Sequence, residues 1–280
     1  MIVFIVYFIL WIAIGFEFGY GFKLYLDYRQ NRVKYIAIPT IEEEEEEEKW
    51  DVVYVLKNNI DDGDYSELRY SLRSLINFPH QNVWFAGGQP ERLKSDYSLP
   101  INQTGRTIWD KVRNTIEEVC KNENISENFW LFNDDFFIMH PIKELKNYSN
   151  GDLAFMILAL EDKEGKRVAY SDFLREILIL LKREGLPTKS FENHTPLLVN
   201  KQLMLEVLTK YPKANGIRSL YGNYAHLETE EIVDVKYFDY HQQIDENLKM
   251  ISSLDREFKN GAVGSYVRES FPEKSKYEID

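Results

Sequence analysis

Trp130-Leu131-Phe132-Asn133-Asp134-Asp135-Phe136-Phe137-Ile138 is an apolar run broken by three small polar residues. Its first three side chains belong to a short, β-prone segment that reads as a buried strand. The last three return to the core, which puts the polar triplet at a strand end or a kink. Two adjacent carboxylates are costly there, because desolvation and mutual repulsion both oppose ionisation. A divalent cation removes the conflict; Mg²⁺ or Mn²⁺ held by one or two carboxylates plus substrate phosphates is a common arrangement. The alternative is a capped turn, with Asn133 and Asp134 bonding the local backbone.

Upstream of this stretch, Asp51-Val52-Val53-Tyr54-Val55-Leu56 is continuous and apolar, as a central parallel strand should be. A loop rich in Asn and Asp follows over 57–63, including Asn58. Asp64-x-x-Glu67 then has capping-box spacing and opens a helix over 66–76. On it Leu68, Leu72 and Leu75 form the core stripe, while Arg69 and Arg73 share another face. A second strand over 82–86 ends at Gly87-Gly88. Strand, helix and strand in this order make a right-handed βαβ unit. Ligands of such sheets bind at the carboxyl ends of the strands, so the 57–64 loop, the Gly87-Gly88 turn and Asn133-Asp134-Asp135 fall on one edge. Gly87-Gly88-Gln89-Pro90 matches neither the P-loop nor the dinucleotide pattern, and its glycines read as a turn or a close backbone approach.

Downstream, the periodicity predicts a helix over 108–120 with Ile108, Val112, Ile116 and Val119 inward. Lys111 and Arg113 on that helix either point toward phosphates or are plain exposed cations. The stretch 151–160 is apolar, and 170–182 is an amphipathic helix. His194 stands just before Pro196 and a helix expected over 199–209. A histidine so placed is a nucleophile, a base or a metal ligand, or else a capping or core residue. Arg218 lies in a polar, aromatic stretch over 215–226 and reads as a phosphate clamp or an ion-pair partner. Residues 232–240 alternate like a half-buried strand, 251–255 like a strand end and turn, and the tail over 258–277 wraps back over the domain.

Composition bounds the possibilities. A chain of 280 residues holds one large domain or two small ones. A net charge of −12 argues against a nucleic-acid-binding face, though not against a nucleotide bound through a metal. The lone Cys120 excludes an internal disulfide and a cysteine-based zinc site, and fits a reducing compartment. Five histidines without an HExxH pattern argue against a zinc hydrolase. Residues 1–22 are apolar apart from Glu17 and just long enough to span a bilayer as an N-terminal hydrophobic helix. Lys23, Arg29, Arg32 and Lys34 follow, so the positive-inside rule puts the remainder at the cytoplasmic face of a membrane if that helix spans, and otherwise in the cytoplasm. The alternatives are a helix packed on the domain or an extension outside the functional protein. Residues 23–49 read as a linker with an acidic run at 42–48, leaving 50–280 as the folded domain.

Taken together, Asp51-Val-Val-Tyr54, Glu67-Leu-Arg-Tyr-Ser-Leu-Arg-Ser-Leu75, Gly88-Gln89-Pro90, Phe132-Asn-Asp-Asp-Phe-Phe137, His194-Thr-Pro-Leu197 and Arg218 resemble motifs of the Stealth family of sugar-phosphate transferases. The chain is equally similar to short glycosyltransferase-like proteins coded by phages and Gram-positive bacteria. The family's acidic VDG- or VNG-like loop reads Lys57-Asn-Asn-Ile-Asp-Asp-Gly63 here, a departure that touches the donor site. The resemblance implies a GT-A-like (Rossmann-like) α/β fold with a mostly parallel sheet flanked by helices, a nucleotide-sugar donor, a glycan or polyol acceptor, and Mg²⁺ or Mn²⁺. In that scheme Asp134 and Asp135 hold the metal, and His194 serves as base or nucleophile, with Asp135 and Arg218 beside it in catalysis. Asn58, Arg69, Arg73, Gly88, Gln89, Lys111 and Asn133 contact substrate. Transfer of a sugar 1-phosphate is the first expectation. An ordinary glycosyl transfer is the second, and a non-catalytic, membrane-tethered binding domain the third.

Overall fold

The computed structural model describes residues 49–58, 66–164, 169–239 and 243–279, without the side chains of 161–164 and 169. Lys49–Asp280 is one compact unit. The expected membrane helix over 1–22, the acidic linker and Asp64 of the capping box lie outside the described residues. Among the described residues no helix is long and apolar enough to cross a membrane.

The βαβ unit forms as its patterning dictates. Strand β1 (Asp51–Leu56), helix α1 (Ser66–Ser74, running into a 3-10 turn at Leu75–Asn77) and strand β2 (Val83–Gly87) follow in order. Then come β3 (Tyr97–Leu99), α2 (Ile108–Lys121) and β4 (Asn128–Phe132). Strand β7 (Leu197–Asn200) completes a five-stranded sheet of order β3-β2-β1-β4-β7, parallel throughout except for β7 against β4. The register pairs Leu56 with Gly87 and Tyr54 with Phe132, so β1, β2 and β4 end along one edge. Period-two alternation splits the sheet's side chains between two cores. Val53, Trp84, Phe129 and Leu131 pack with Ile116 and Val119 of α2. Val52, Tyr54, Phe85, Trp130 and Phe132 pack with Leu68, Leu72 and Leu75. Truncating one of these fully buried leucines to alanine should cost about 2–5 kcal/mol.

The amino edge is locked by a buried carboxylate. Asp51 Oδ1 accepts from the Asn82 backbone and side-chain amides at 3.2 and 2.9 Å, and its Oδ2 accepts from Ser126 N–H at 2.9 Å. At the opposite edge the Gly87-Gly88 turn does what its composition foretold. A Cβ on Gly87 would lie 2.3 Å from the Leu56 carbonyl oxygen, and one on Gly88 2.2 Å from that of Lys57. The two strand exits therefore run closer together than any side chain would permit.

After β4 the chain changes sheets. Strand β5 (Phe136–Ile138) pairs not with the five-stranded sheet but with β10 (Met250–Ser253), which also pairs with β9 (Lys236–Tyr237). Asn133-Asp134-Asp135 is thus the bend between two sheets, as the pause in hydrophobicity suggested. A two-stranded ladder joins β6 (Tyr148–Ser149) to β8 (Glu230–Glu231). The flanking helices are α3 (Leu153–Glu164), α4 (Ala169–Arg183), α5 (Lys201–Lys210) and α6 (Ile217–Tyr224). The short α7 (Asp255–Asn260) and α8 (Ala262–Ser270) pack a third core around Phe137, Ile251 and Phe258.

Three expectations from the sequence need correction. The helix placed over 199–209 starts at Lys201, because Leu197–Asn200 pairs antiparallel with β4 and Asn200 is the N-cap, its side chain accepting from Leu203 N–H at 3.1 Å. The strand placed over 232–240 shrinks to β9, whose Lys236 is paired opposite Ser252. Ile108, assigned to the buried face of α2, is 66% exposed; its helix begins at the rim of a cleft.

Candidate functional site

The cleft, about 670 Å³, opens at the carboxyl edge of the parallel sheet. Its floor is Val55 and Leu131 at the ends of β1 and β4, one wall is the first turns of α2, and the other is the 212–218 segment leading into α6. Helix α2 starts there because Thr107 and Asp110 cap it reciprocally. Thr107 Oγ1 accepts from Asp110 N–H at 3.1 Å, and Asp110 Oδ2 accepts from Thr107 N–H at 2.9 Å. Gln103 ties this wall to the floor, donating to the Leu56 carbonyl at 2.7 Å and to Thr115 Oγ1 at 3.0 Å.

On a chain of net charge −12, the cleft gathers six cationic side chains (Lys57, Arg106, Lys111, Arg113, Lys213 and Arg218) against three acidic ones (Asp110, Asp134 and Glu192). That reversal of sign suits a polyanionic ligand. The two arginines nearest the far wall also have structural roles. Arg113 donates to the carbonyls of Leu208, Tyr211 and Ala214 at 3.1, 2.6 and 3.1 Å, gathering the carbonyls at and beyond the end of α5. Arg218 donates through Nε to the Phe191 carbonyl at 3.0 Å and through Nη2 to that of Thr195 at 2.5 Å. It thereby braces the loop that carries His194. Its Nη1 is buried with no hydrogen-bond partner among the described residues. Burial holds this guanidinium below its usual pKa, while Glu192, Asp135 and Asp234 lie near enough to oppose that shift.

The two adjacent aspartates have separate surroundings. Asp134 lines the cleft beside Asn133. Burial, reinforced by the Asp135 charge, pushes its carboxyl up to about 6. Asp135 turns toward the small sheet, where its Oδ2 accepts from Lys236 Nζ at 2.7 Å and from Ser252 Oγ at 3.0 Å. Its Oδ1 is buried without a partner among the described residues. A third carboxylate, Glu67 of α1, accepts from Ser253 Oγ at 2.9 Å; burial, with the charges of Asp134, Asp135 and Asp255, lifts it to about 8. The sequence marked Glu67 as part of a helix cap and as the first residue of the Glu67–Leu75 motif, with no role of its own at the site.

His194 is oriented by a carboxylate. Its Nδ1 donates to Asp234, 2.9 Å from Oδ2 and 3.0 Å from Oδ1. Burial raises the Asp234 pKa, but the hydrogen bond and charge of His194 outweigh it, so Asp234 lies below the usual carboxylate range. Asp234 Oδ1 also accepts from Lys236 N–H at 3.3 Å. A single short segment, 234–236, therefore joins the His194 partner to the Asp135 partner.

Other residues expected at the site have framework roles. Arg73 forms a bidentate pair with Glu278 at 2.7 and 2.8 Å and donates to the Phe271 and Pro272 carbonyls, clasping the tail to α1. Arg69 approaches the same Glu278 at 3.5 Å. Neither lines the cleft; both engage the tail carboxylate of Glu278. Gln89 donates to the Phe85 and Gly87 carbonyls at 3.3 and 3.2 Å, and Asn58 Nδ2 to the Ile101 carbonyl at 2.7 Å; both shape the strand exits. Gly88 admits the Lys57 carbonyl. Lys111, Asn133, Asp134 and Arg218 line the cleft; His194 and Asp135 are not in its lining, His194 standing one residue before the Thr195 carbonyl that Arg218 holds and Asp135 one residue after Asp134.

Among the described residues no group of three or more His, Cys, Asp or Glu side chains is arranged to hold a metal ion. What stands at the bend is a carboxylate facing the cleft and one orphaned carboxylate oxygen behind it. Carboxylate oxygens are the donor type that Mg²⁺ or Mn²⁺ takes, and a cation there would draw its remaining ligands from phosphates and water.

The fold by itself defines a mixed α/β protein with a mainly parallel central sheet and flanking helices. No protein-family model matches the chain, and no curated protein matches it in sequence. Among solved structures, the glycosyltransferase GlyE of Streptococcus pneumoniae TIGR4 is similar over 80% of this chain and 50% of that one, with 11% identity and a TM-score of 0.30. The chain thus spans about half the length of that protein.

Proposed function

We propose that this chain is a GT-A-like, nucleotide-sugar-dependent transferase that moves a sugar 1-phosphate to a hydroxyl of a glycan or polyol acceptor. The observation that carries the reading is Asp134 in the lining of a cation-lined cleft at the carboxyl edge of the sheet, with Arg218 of the same lining bracing the loop that carries the His194–Asp234 pair. Lys111, Lys213 and Arg218 bind the donor's phosphate oxygens as point charges and hydrogen-bond donors. Asp134 and the free oxygen of Asp135 would hold Mg²⁺ or Mn²⁺, which when bound neutralises charge on the pyrophosphate. Lys236 keeps Asp135 in place and offsets its charge.

His194 supplies the base. With Nδ1–H donated to Asp234, Nε2 carries the lone pair and takes the proton of the acceptor hydroxyl. The freed oxygen attacks the sugar-bearing phosphorus, and the bond from that phosphorus to the bridging oxygen breaks. A nucleoside monophosphate leaves and a phosphodiester forms. Asp234 stabilises the imidazolium without itself being protonated.

The test uses the full chain with Mn²⁺, a panel of nucleotide sugars and soluble polyol and glycan acceptors. A matching donor should raise the melting temperature by mass action, and chromatography should then show release of the nucleoside monophosphate. Release of the diphosphate would replace this chemistry with formation of a glycosidic bond. Absence of any donor-dependent shift would end the transferase reading.

A further inference from the structure

Trp109 is the only aromatic side chain in the lining of the cleft among the described residues. It is held from two directions. Its backbone lies inside the Thr107–Asp110 capping box, in the first turn of α2. Its indole stacks on Phe173 of α4, with ring centroids 5.1 Å apart and planes 17° from parallel. Phe173 is backed in turn by Tyr170 at 5.8 Å and 19°, and packs against the core that α2 shares with the sheet. One face of the indole is therefore covered. The ring is nevertheless 45% exposed, which leaves its other face to the cleft.

A ring fixed in this way is a flat platform, and a ligand that stacks on it need not first order the side chain. Every nucleobase has a π-face, so stacking of a base on an aromatic side chain is strong and tolerant of base identity. The rest of the lining narrows the choice of ligand. Arg106 and Lys111 flank the ring in sequence, and Lys57, Arg113, Lys213 and Arg218 complete the cationic set. A neutral glycan offers ring faces to the indole but nothing to six cations. A free polyphosphate offers charge but no ring. The small molecule that joins one flat ring to a short run of phosphates is a nucleotide. We infer that Trp109 is the nucleobase platform of the cleft. The base completes the Tyr170–Phe173–Trp109 stack on its one free face, and the phosphates extend from it toward the cations. Phe173 is a positioning residue that acts through the indole. This deepens the transferase reading, and it rests on that reading only for the sugar that the nucleotide carries.

Titration of the full chain with UDP, CDP, ADP and GDP in the presence of Mg²⁺, read by calorimetry and by tryptophan emission, tests the platform. Inorganic pyrophosphate is the control that lacks a base. At least one nucleotide should bind more tightly than pyrophosphate and quench part of the emission to saturation, Trp84 and Trp130 being only 4% and 3% exposed. Trp109→Phe keeps a ring, so it should hold that affinity within about twofold while losing the quench. Trp109→Ala should weaken the nucleotide about tenfold, within the range of one base–aromatic stack, and leave pyrophosphate binding unchanged. Phe173→Leu should lower nucleotide affinity by less than Trp109→Ala does, again without effect on pyrophosphate. Nucleotide affinity untouched by Trp109→Ala would overturn the inference and leave the donor reading intact. An equal loss for pyrophosphate would also overturn it, since the ring would then only support the shape of the cleft. A quench by maltohexaose with none from any nucleotide would hand the ring to a glycan and overturn it as well. Failure of every nucleotide to bind would remove the platform and the donor reading together. Base-dependent binding that meets these expectations in a chain that turns over no nucleotide sugar would instead sink the transferase reading and leave the platform standing.

Discussion

The two edges of the parallel sheet each bury an aspartate, and they treat it in opposite ways. At the amino edge Asp51 is 1% exposed and both its oxygens are fully engaged by Asn82 and Ser126. At the carboxyl edge Asp135 is 8% exposed; Lys236 and Ser252 hold one oxygen, while the other has no partner among the described residues. Its neighbour Asp134 is pushed up to about 6 by burial and by that second charge. A satisfied buried carboxylate stabilises the strands it links. An incompletely satisfied one is tolerable only where something else balances it, and such sites concentrate where ligands bind. The contrast teaches that burial of a charge does not by itself mark a functional site, and that an unpartnered oxygen beside a cleft makes one a candidate.

The largest expected effect lies at the histidine. His194→Ala should lower transfer by about 10³-fold while leaving donor-induced thermal stabilisation in place, because a general base acts on the acceptor and not on donor binding. Asp234→Asn should fall between that variant and the wild type, as the tautomer is no longer fixed. Steady-state rates paired with thermal shifts check both.

At the other edge the signature inverts. Asp51→Ala leaves the Asn82 and Ser126 donors unpaired and should cost about 3 kcal/mol in urea unfolding. The rate per folded molecule should not change. A large loss of rate would mean that the edges are not as independent as their chemistry suggests.

A smaller effect, with the opposite sign, belongs to Glu67. Its folded-state pKa of about 8 lies above the ordinary 4.5, so folding favours the protonated form. That contribution to stability is complete below pH 4.5 and is lost as the pH rises through 8. Glu67→Gln should therefore stabilise the protein at pH 8.5 by about 1–2 kcal/mol, discounted for partial solvent exposure, and have little effect at pH 4.5. Paired denaturation curves at the two pH values measure it. The smallest effect is Arg69→Ala, within about 0.5 kcal/mol and without change in donor affinity, given its loose approach to Glu278 at 3.5 Å.

Much of this organisation was legible in the sequence because it is local. The βαβ unit, the close approach at Gly87-Gly88 and the pause at Asn133-Asp134-Asp135 follow from periodicity, glycine geometry and the cost of paired charges. What escaped depends on distant pairing. Lys236 and Ser252 reach Asp135 across 101 and 117 residues, and Asp234 reaches His194 across 40. No local pattern marks Asp234 and Lys236 as partners of the site, and the strand that Lys236 opens is only two residues long. The Glu278 partner of Arg69 and Arg73 could not be read in advance, because a cation on a helix face looks the same whether a phosphate or a tail carboxylate waits opposite. Ile108 misled for a related reason: helical spacing says which residues share a face, not whether that face meets core or cleft.

Isothermal titration of the full chain with a nucleoside diphosphate, with and without Mn²⁺, tests the carboxyl edge most directly. The wild type should bind at least about tenfold more tightly with Mn²⁺, a gain of roughly 1.4 kcal/mol. Asp134→Ala should lose that gain, and Asp51→Asn, examined at a temperature where it is folded, should keep it. Equal metal dependence in the wild type and Asp134→Ala would contradict the assignment of the bend between the two sheets as the site where charge is shared with a ligand.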